Sequence, residues 1–317
     1  MDYKTISKRN LLPLAAIAML LVFGLLSGCT KSESSDSDGR LNIVATTTML
    51  YDLAVSIGGD LVNATALMGP GIDPHLYQAS AGDVTKMQGA DIILYNGLHL
   101  EGKMGDIFAA LSRSGRTIIC VEDSLVDSML LSDENNPDIH DPHIWFDVSL
   151  WKYAARHVAE RLTSIDPDNA DAYSANLAMY LIDLDELEWY IKERVTEVPE
   201  NQRVLVTAHD AFRYLGRAYG FAVMGLQGIS TDAEAGTADV SSLAAFIAQN
   251  RIKAIFVESS VPPRNIQALQ AAVRARGFDV GIGGELYSDS LGDNNSGHNT
   301  YLLTFKANID TIVDALR

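Results

Sequence analysis

Asp166-Pro-Asp-Asn-Ala-Asp-Ala-Tyr-Ser-Ala-Asn-Leu-Ala-Met-Tyr180-Leu-Ile-Asp-Leu184-Asp-Glu-Leu187-Glu-Trp-Tyr-Ile191-Lys-Glu-Arg-Val-Thr196 contains no glycine and, beyond Pro167, no proline. Asp166 offers an N-cap and Pro167 suits the first helical position, where its missing N–H is no loss. Tyr180, Leu184, Leu187 and Ile191 recur at helical spacing and mark one apolar face. Pro199 and Asn201 end the pattern. The spacing predicts one long helix over 166–198. Thirty such residues would run about 45 Å, the length of a whole domain. A helix of that length between two other bodies is a stiff connector, although a long helix with no mechanical role carries the same pattern.

The chain on either side alternates short β-rich runs with helical patterns. Before the helix, 41–46, 91–96 and 117–121 read as strands, with 51–57 and 104–114 helical among them. After it, 203–207, 221–224, 254–258 and 278–282 read as strands, and 211–219, 241–249, 265–276 and 301–316 as helices. The strands are near-continuous apolar runs, as when helices cover both faces of a parallel sheet. The expected fold class is therefore α/β. Two α/β lobes with mainly parallel sheets, over 41–165 and 199–317, are joined by the long helix, with a cleft between them. No internal repeat is visible.

Composition agrees with this and excludes other classes. The chain has 317 residues, 47% of them hydrophobic, which suits two globular domains rather than a disordered or fibrous chain. Two cysteines cannot build a disulfide framework. Cys120, in the apolar run 117–121, reads as a small buried hydrophobe. The net charge of −17 repels phosphate backbones, so nucleic acid is not an expected partner.

The N-terminus carries an address. Lys4, Lys8 and Arg9 precede the apolar run 11–26, which is short for a membrane span and is interrupted by Pro13 and Gly24. Leu26-Ser-Gly-Cys29 then resembles a bacterial lipobox. Residues 1–28 are expected to be a lipoprotein signal peptide, Cys29 the acylated first residue, and 29–40 a flexible polar tether. An uncleaved signal anchor is the alternative. The mature chain would carry 40 acidic against 21 basic residues.

Seven histidines are few enough to take singly. His75 and His143 each follow Asp-Pro in a loop, and His209 closes an apolar strand, where α/β sheets place ligands. Asp289 lies just past a strand, in a glycine-containing segment expected to be flexible. Each alone is a weak signal. Together, two from each lobe, three imidazoles and one carboxylate make a complete four-coordinate set for a borderline divalent cation. Glu258, at a strand end, is a candidate to orient a ligand imidazole, a plain structural role being the alternative. His99, His140 and His298 read as loop histidines, and His157 as a half-buried helical one.

The chain resembles the metal-binding lipoproteins of zinc and manganese ABC importers, the periplasmic solute-binding protein family 9. The resemblance runs from about residue 40 to the C-terminus, through the motifs at 71–77, 141–147, 207–212, 225–230, 256–260 and 283–289. It implies the same two-lobed fold, with ligands at His75, His143, His209 and Asp289 around a transported Zn2+ or Mn2+ in the cleft. Histidine at 209, where manganese-devoted members often carry glutamate, leans toward zinc. The acidic stretch 128–138 lacks the histidine-rich loop of many zinc binders.

The resemblance further implies a monomer, lipid-anchored to the cell membrane and facing the periplasm or exterior. Its partners would be an ABC permease in the cytoplasmic membrane and the ATPase that powers it. No enzymatic activity is expected, and no His-Glu-x-x-His helix, Gly-x-Ser-x-Gly elbow or phosphate loop is present. A secreted zinc-dependent hydrolase and a surface adhesin are the alternatives. Metal affinity is expected to fall as pH drops through the histidine range near 6.5, and release to need only local movement around Asp289.

Overall fold

The computed structural model describes residues 39–133 and 136–317. The expected signal peptide, Cys29 and the tether as far as Asp38 lie outside the described residues. The first lobe runs β1 (Leu41–Ala45), α1 (Thr48–Gly58), β2 (Val62–Ala66), α2 (Ala81–Gly89), β3 (Ile92–Tyr95), α3 (Gly105–Arg113) and β4 (Thr117–Cys120). Its four strands are all parallel, in the order β2-β1-β3-β4. In β1 and β3, Ile43, Ala45, Ile92 and Leu94 face the central core, whereas Val44 and Ile93 face an outer one. Both faces are covered, which is why these strands read as unbroken apolar runs.

Two helices follow, α4 (Val148–Ile165) and α5 (Ala170–Val195). The second lobe is β5 (Val204–His209), α6 (Arg213–Tyr219), β6 (Ala222–Gln227), α7 (Thr237–Asn250), β7 (Ala254–Glu258), α8 (Arg264–Arg274), β8 (Gly281–Leu286) and α9 (Tyr301–Leu316). β5 pairs with β6 and β7 with β8, both parallel, and β5 lies beside β7. The alternation seen in the first lobe recurs here. Leu205 and Phe256 enter the central core, while Val206 and Ile255 enter the outer one under α7 and α8.

The connector α5 buries Tyr173, Tyr180, Leu184, Leu187, Ile191 and Val195, the face marked by the apolar spacing. At 26 residues it is about 39 Å long. It starts at Ala170 rather than Asp166, because the Asp166 carboxylate accepts from Asn169 Nδ2 and Tyr173 Oη instead of capping the backbone. Pro167–Asn169 form a 3₁₀ turn that closes a hairpin with α4. The central core runs through α5 into both lobes, so the lobes share one apolar interior besides their outer layers.

Other boundaries shift for local reasons. The strand expected at 278–282 lies at Gly281–Leu286, where a bulge at Gly283 and a φ of +143° at Gly284 carry the chain past β7. A Cβ at Gly283 would strike the Phe256 ring, so glycine is required there. The helix expected from Ala211 begins at Arg213. Two elements lie outside the apolar patterning. β2 is an edge strand of alternating burial, and α2 is nucleated by a Ser80–Asp83 capping box.

In each lobe the chain leaves the first strand to one side and returns on the other, β2 then β3 about β1, and β6 then β7 about β5. Such switch points open a crevice at the carboxyl ends of the strands. The candidate ligands sit there.

Candidate metal centre

His75 lies in the connection from β2 to α2, and His143 in the one from β4 to α4. Each sits in an Asp-Pro-His turn whose aspartate accepts the histidine backbone N–H. The distance is 2.9 Å from His75 to Asp73 Oδ1 and 3.0 Å from His143 to Asp141 Oδ1. His209 is the last residue of β5, and Asp289 follows β8. Gly225 in β6 lets that strand close on the turn after His209, since a Cβ there would overlap the Asp210 backbone.

These four residues converge. One donor atom from each lies within 4.8 Å of every other, and all four side chains are buried. His143 Nε2 is 3.3 Å from His75 Nε2 and 3.4 Å from His209 Nε2. The Asp289 carboxylate straddles the pair, Oδ1 at 3.4 Å from His143 Nε2 and Oδ2 at 3.3 Å from His209 Nε2. A tetrahedron with metal–ligand distances of about 2.0–2.1 Å has edges of about 3.3 Å, so the spacing is that of a four-coordinate divalent ion. With both Asp289 oxygens facing the centre, a fifth oxygen donor is also available.

Two carboxylates orient the innermost rings. His209 Nδ1 donates to Glu258 Oε2 at 2.5 Å, and the other Glu258 oxygen accepts the His209 backbone N–H at 2.9 Å. His143 Nδ1 donates to Asp141 Oδ1 at 2.7 Å. With Nδ1 of each ring held by its carboxylate, Nε2 faces the centre and becomes a donor to a cation once its own proton has left. The pairing of Asp141 with the His143 ring is absent from the sequence reading, although the i to i+2 spacing inside Asp-Pro-His is the local signal for it.

The charge states follow. Burial alone would lower the His143 pKa, but the charge and hydrogen bond of Asp141, with Asp289, carry it up to about 9. Burial likewise opposes protonation of His209, and Glu258 and Asp289 overcome it, raising it well above its ordinary value. His75, with no such carboxylate on its ring, is driven by burial down to about 3. Asp289 is held well below the carboxylate range by the His209 charge and the two imidazole hydrogen bonds, against its burial. Its Oδ1 is buried against His143 Nε2 at 3.4 Å and faces the centre.

The remaining histidines stay outside this cluster. His140 Nδ1 is near Ser132 Oγ, His298 Nδ1 is near Tyr287 Oη, His99 is exposed, and His157 is half-buried on α4. Cys120 is a buried free thiol, pushed by burial to about 12. The segment around Asp289, expected to be flexible, is tied on all sides. Trp145 Nε1 donates to the Ser288 carbonyl at 2.9 Å, and Ser260 Oγ donates to Asp289 Oδ2 at 3.0 Å. Gly71 N donates to Ser290 Oγ at 2.8 Å, and Leu291 N to Thr48 Oγ1 at 2.7 Å. Three of these four bonds cross between the lobes.

Comparison with known proteins places this arrangement. Residues 43–315 match the family described as zinc-uptake complex component A, periplasmic (ZnuA). The chain belongs to that family. Among its relatives, the zinc-binding protein TroA of Treponema pallidum is 47% identical over 302 residues, 94% of this chain and 97% of TroA. The manganese-binding lipoprotein MntA of Bacillus subtilis is 42% identical over 301 residues, 95% of this chain and 98% of its own. The solved structure of the Treponema pallidum periplasmic zinc-binding protein TroA superimposes with a TM-score of 0.85 at 48% identity, covering 88% of this chain and 99% of that one. ZnuA-family proteins are thus both sequence and structural neighbours, and named relatives include zinc and manganese binders.

Proposed function

We propose that the protein captures a divalent transition metal, Zn2+ or Mn2+, on His75, His143, His209 and Asp289, and delivers it to an ABC importer made of a membrane permease and an ATPase. The observation that carries this is the buried cluster of three Nε2 atoms and one carboxylate at tetrahedral edge lengths. Neutral imidazole and carboxylate ligands are the set a borderline cation takes, and three nitrogens favour zinc along the first-row affinity order. The second Asp289 oxygen suits the higher coordination of manganese, in keeping with relatives named for either metal.

A binding role fits better than a hydrolytic one. Catalytic zinc keeps three protein ligands and an open position for water, whereas here four side chains close on the centre from two lobes. Residues 1–28 would be removed as a signal peptide, and acylated Cys29, with the 29–40 tether, would hold a monomer to the membrane on its periplasmic or exterior side. The lobes over 41–165 and 199–317 and the 166–198 connector would then form the carrier. No helix among the described residues is long and apolar enough to cross a membrane.

Elemental analysis of protein purified without added metal, followed by zinc–manganese competition, tests the reading. One bound ion per chain, with zinc displacing manganese, is expected. A metal-free protein that takes up neither ion would overturn it.

A further inference from the structure

The four ligands are not held alike. His209 and His143 each have a carboxylate on the ring, from Glu258 and Asp141, and Asp289 accepts from Ser260 Oγ. His75 has no such carboxylate and is placed by the long loop between β2 and α2. Outside the ligand cluster, two hydrogen bonds among the described residues fasten residues 69–75 to the rest of the molecule, and both reach the second lobe. Gly71 N donates to Ser290 Oγ at 2.8 Å, and Thr231 Oγ1 donates to Asp73 Oδ2 at 2.6 Å. With its other oxygen, Oδ1, Asp73 accepts the His75 backbone N–H at 2.9 Å. One carboxylate thus joins the His75 main chain to a hydroxyl of the opposite lobe. Thr231 is buried, so water competes little for that bond. Its loop, between β6 and α7, is fixed within the second lobe by Gln227 Nε2 to the Ala233 carbonyl at 3.1 Å and by Asp210 N to the Gly228 carbonyl at 3.2 Å. The neighbouring crossing, Lys103 Nζ to Asp232 Oδ1 at 2.9 Å, is an ion pair with both side chains partly in solvent, which holds a loop weakly.

We propose that Thr231 is a positioning residue of the metal site, holding His75 over the ion from the opposite lobe through Asp73. Without the hydroxyl, Asp73 Oδ2 loses its donor in a half-buried setting. The relief open to the carboxylate is to turn toward water, and Oδ1 takes the His75 N–H with it. The ion then leaves faster, while its first capture is little altered because the four donors are the same. The inference rests on the metal-binding reading and adds to it a residue that retains the ion.

The test measures zinc association by stopped flow, and zinc dissociation into an excess of fluorescent chelator, for wild type, Thr231→Val, Thr231→Ala, Thr231→Ser and Lys103→Gln. Thr231→Val keeps the shape and removes the hydroxyl. It and Thr231→Ala should speed dissociation about tenfold or more, with association within about twofold of wild type. Thr231→Ser, which restores the hydroxyl, should recover most of the loss. Lys103→Gln, which removes only the exposed pair, should leave both rates unchanged. Unchanged dissociation in the two hydroxyl-deleted variants overturns the proposal, as does a loss confined to association. So does a Thr231→Ser protein that releases zinc as fast as Thr231→Val, or an equal acceleration by Lys103→Gln, either of which would make the crossing a matter of packing rather than of the hydroxyl. A wild type that takes up no zinc would show the metal-binding reading itself to be wrong, before any variant is compared.

Discussion

Asp141 and Glu258 set the tautomers of His143 and His209, and that job needs a charge as well as an acceptor. Replacing Glu258 with Gln keeps the shape and removes the charge, and should weaken zinc binding by roughly 10–100-fold without unfolding the protein, as calorimetry and circular dichroism would register. His209→Ala, which deletes a donor, should cost more, and His157→Ala should leave affinity unchanged. Protonation gives a second expectation. Because the His143 pKa is raised to about 9 and that of His209 well above its ordinary value, the pair holds protons in the metal-free protein more tightly than free imidazoles do, and zinc must displace them. His75, lowered to about 3, releases none. Affinity should therefore fall already as pH drops from about 9, not only below the ordinary histidine range. Calorimetry at pH 7 in buffers of different ionisation enthalpy should show net proton release as zinc binds. The linked stability has the opposite sign. The His143–Asp141 pair stabilises the metal-free fold fully below the unfolded pKa near 6.5, and that contribution is lost as pH rises through about 9. The two Asp-Pro-His turns were legible in the sequence as loops because their signal is local. That Glu258 would meet His209, 49 residues away, depends on β5 lying beside β7, which no spacing reveals.

At the scale of elements, α5 was the most legible part, since a stretch without glycine or internal proline and with a 3-4 apolar spacing has few other ways to bury its face. Its start was not, because Asp166 spends its side chain on Asn169 and Tyr173. β8 was misplaced by the same logic in reverse. Its two central glycines carry no strand signature, yet Gly283 is what allows it to pass Phe256 and Gly284 to pass Thr311. α5 is held by its apolar face and by bonds such as Trp151 Nε1 to Tyr180 Oη at 3.0 Å. Leu187 is fully buried in the core that both lobes share. Leu187→Ala should cost about 2–5 kcal/mol in urea unfolding. A cost near zero would show that the connector is not packed as described.

For the whole molecule, the shared core and the bonds across the cleft argue against a wide hinge. Tyr301 in the second lobe donates through its hydroxyl to the Trp145 carbonyl at 2.7 Å and through its backbone N–H to Asp52 at 2.9 Å, and it stacks on Trp151. Opening the lobes would break these contacts and wet the interior around α5. Small-angle scattering of metal-free and loaded protein should give radii of gyration that agree within about 1 Å, whereas hinge closure of a two-lobed binder would move them further. A release confined to the Asp289 segment would have to break the bonds that tie it, Trp145 Nε1 to the Ser288 carbonyl among them.

All of this depends on one ion shared by four side chains. Crystals of the protein loaded with equimolar Zn2+, measured at the zinc absorption edge, test that directly. A single anomalous peak should lie about 2.0–2.1 Å from Nε2 of His75, His143 and His209 and about 2.0–2.2 Å from an Asp289 oxygen. A peak bound elsewhere, or none between the lobes, would contradict the account.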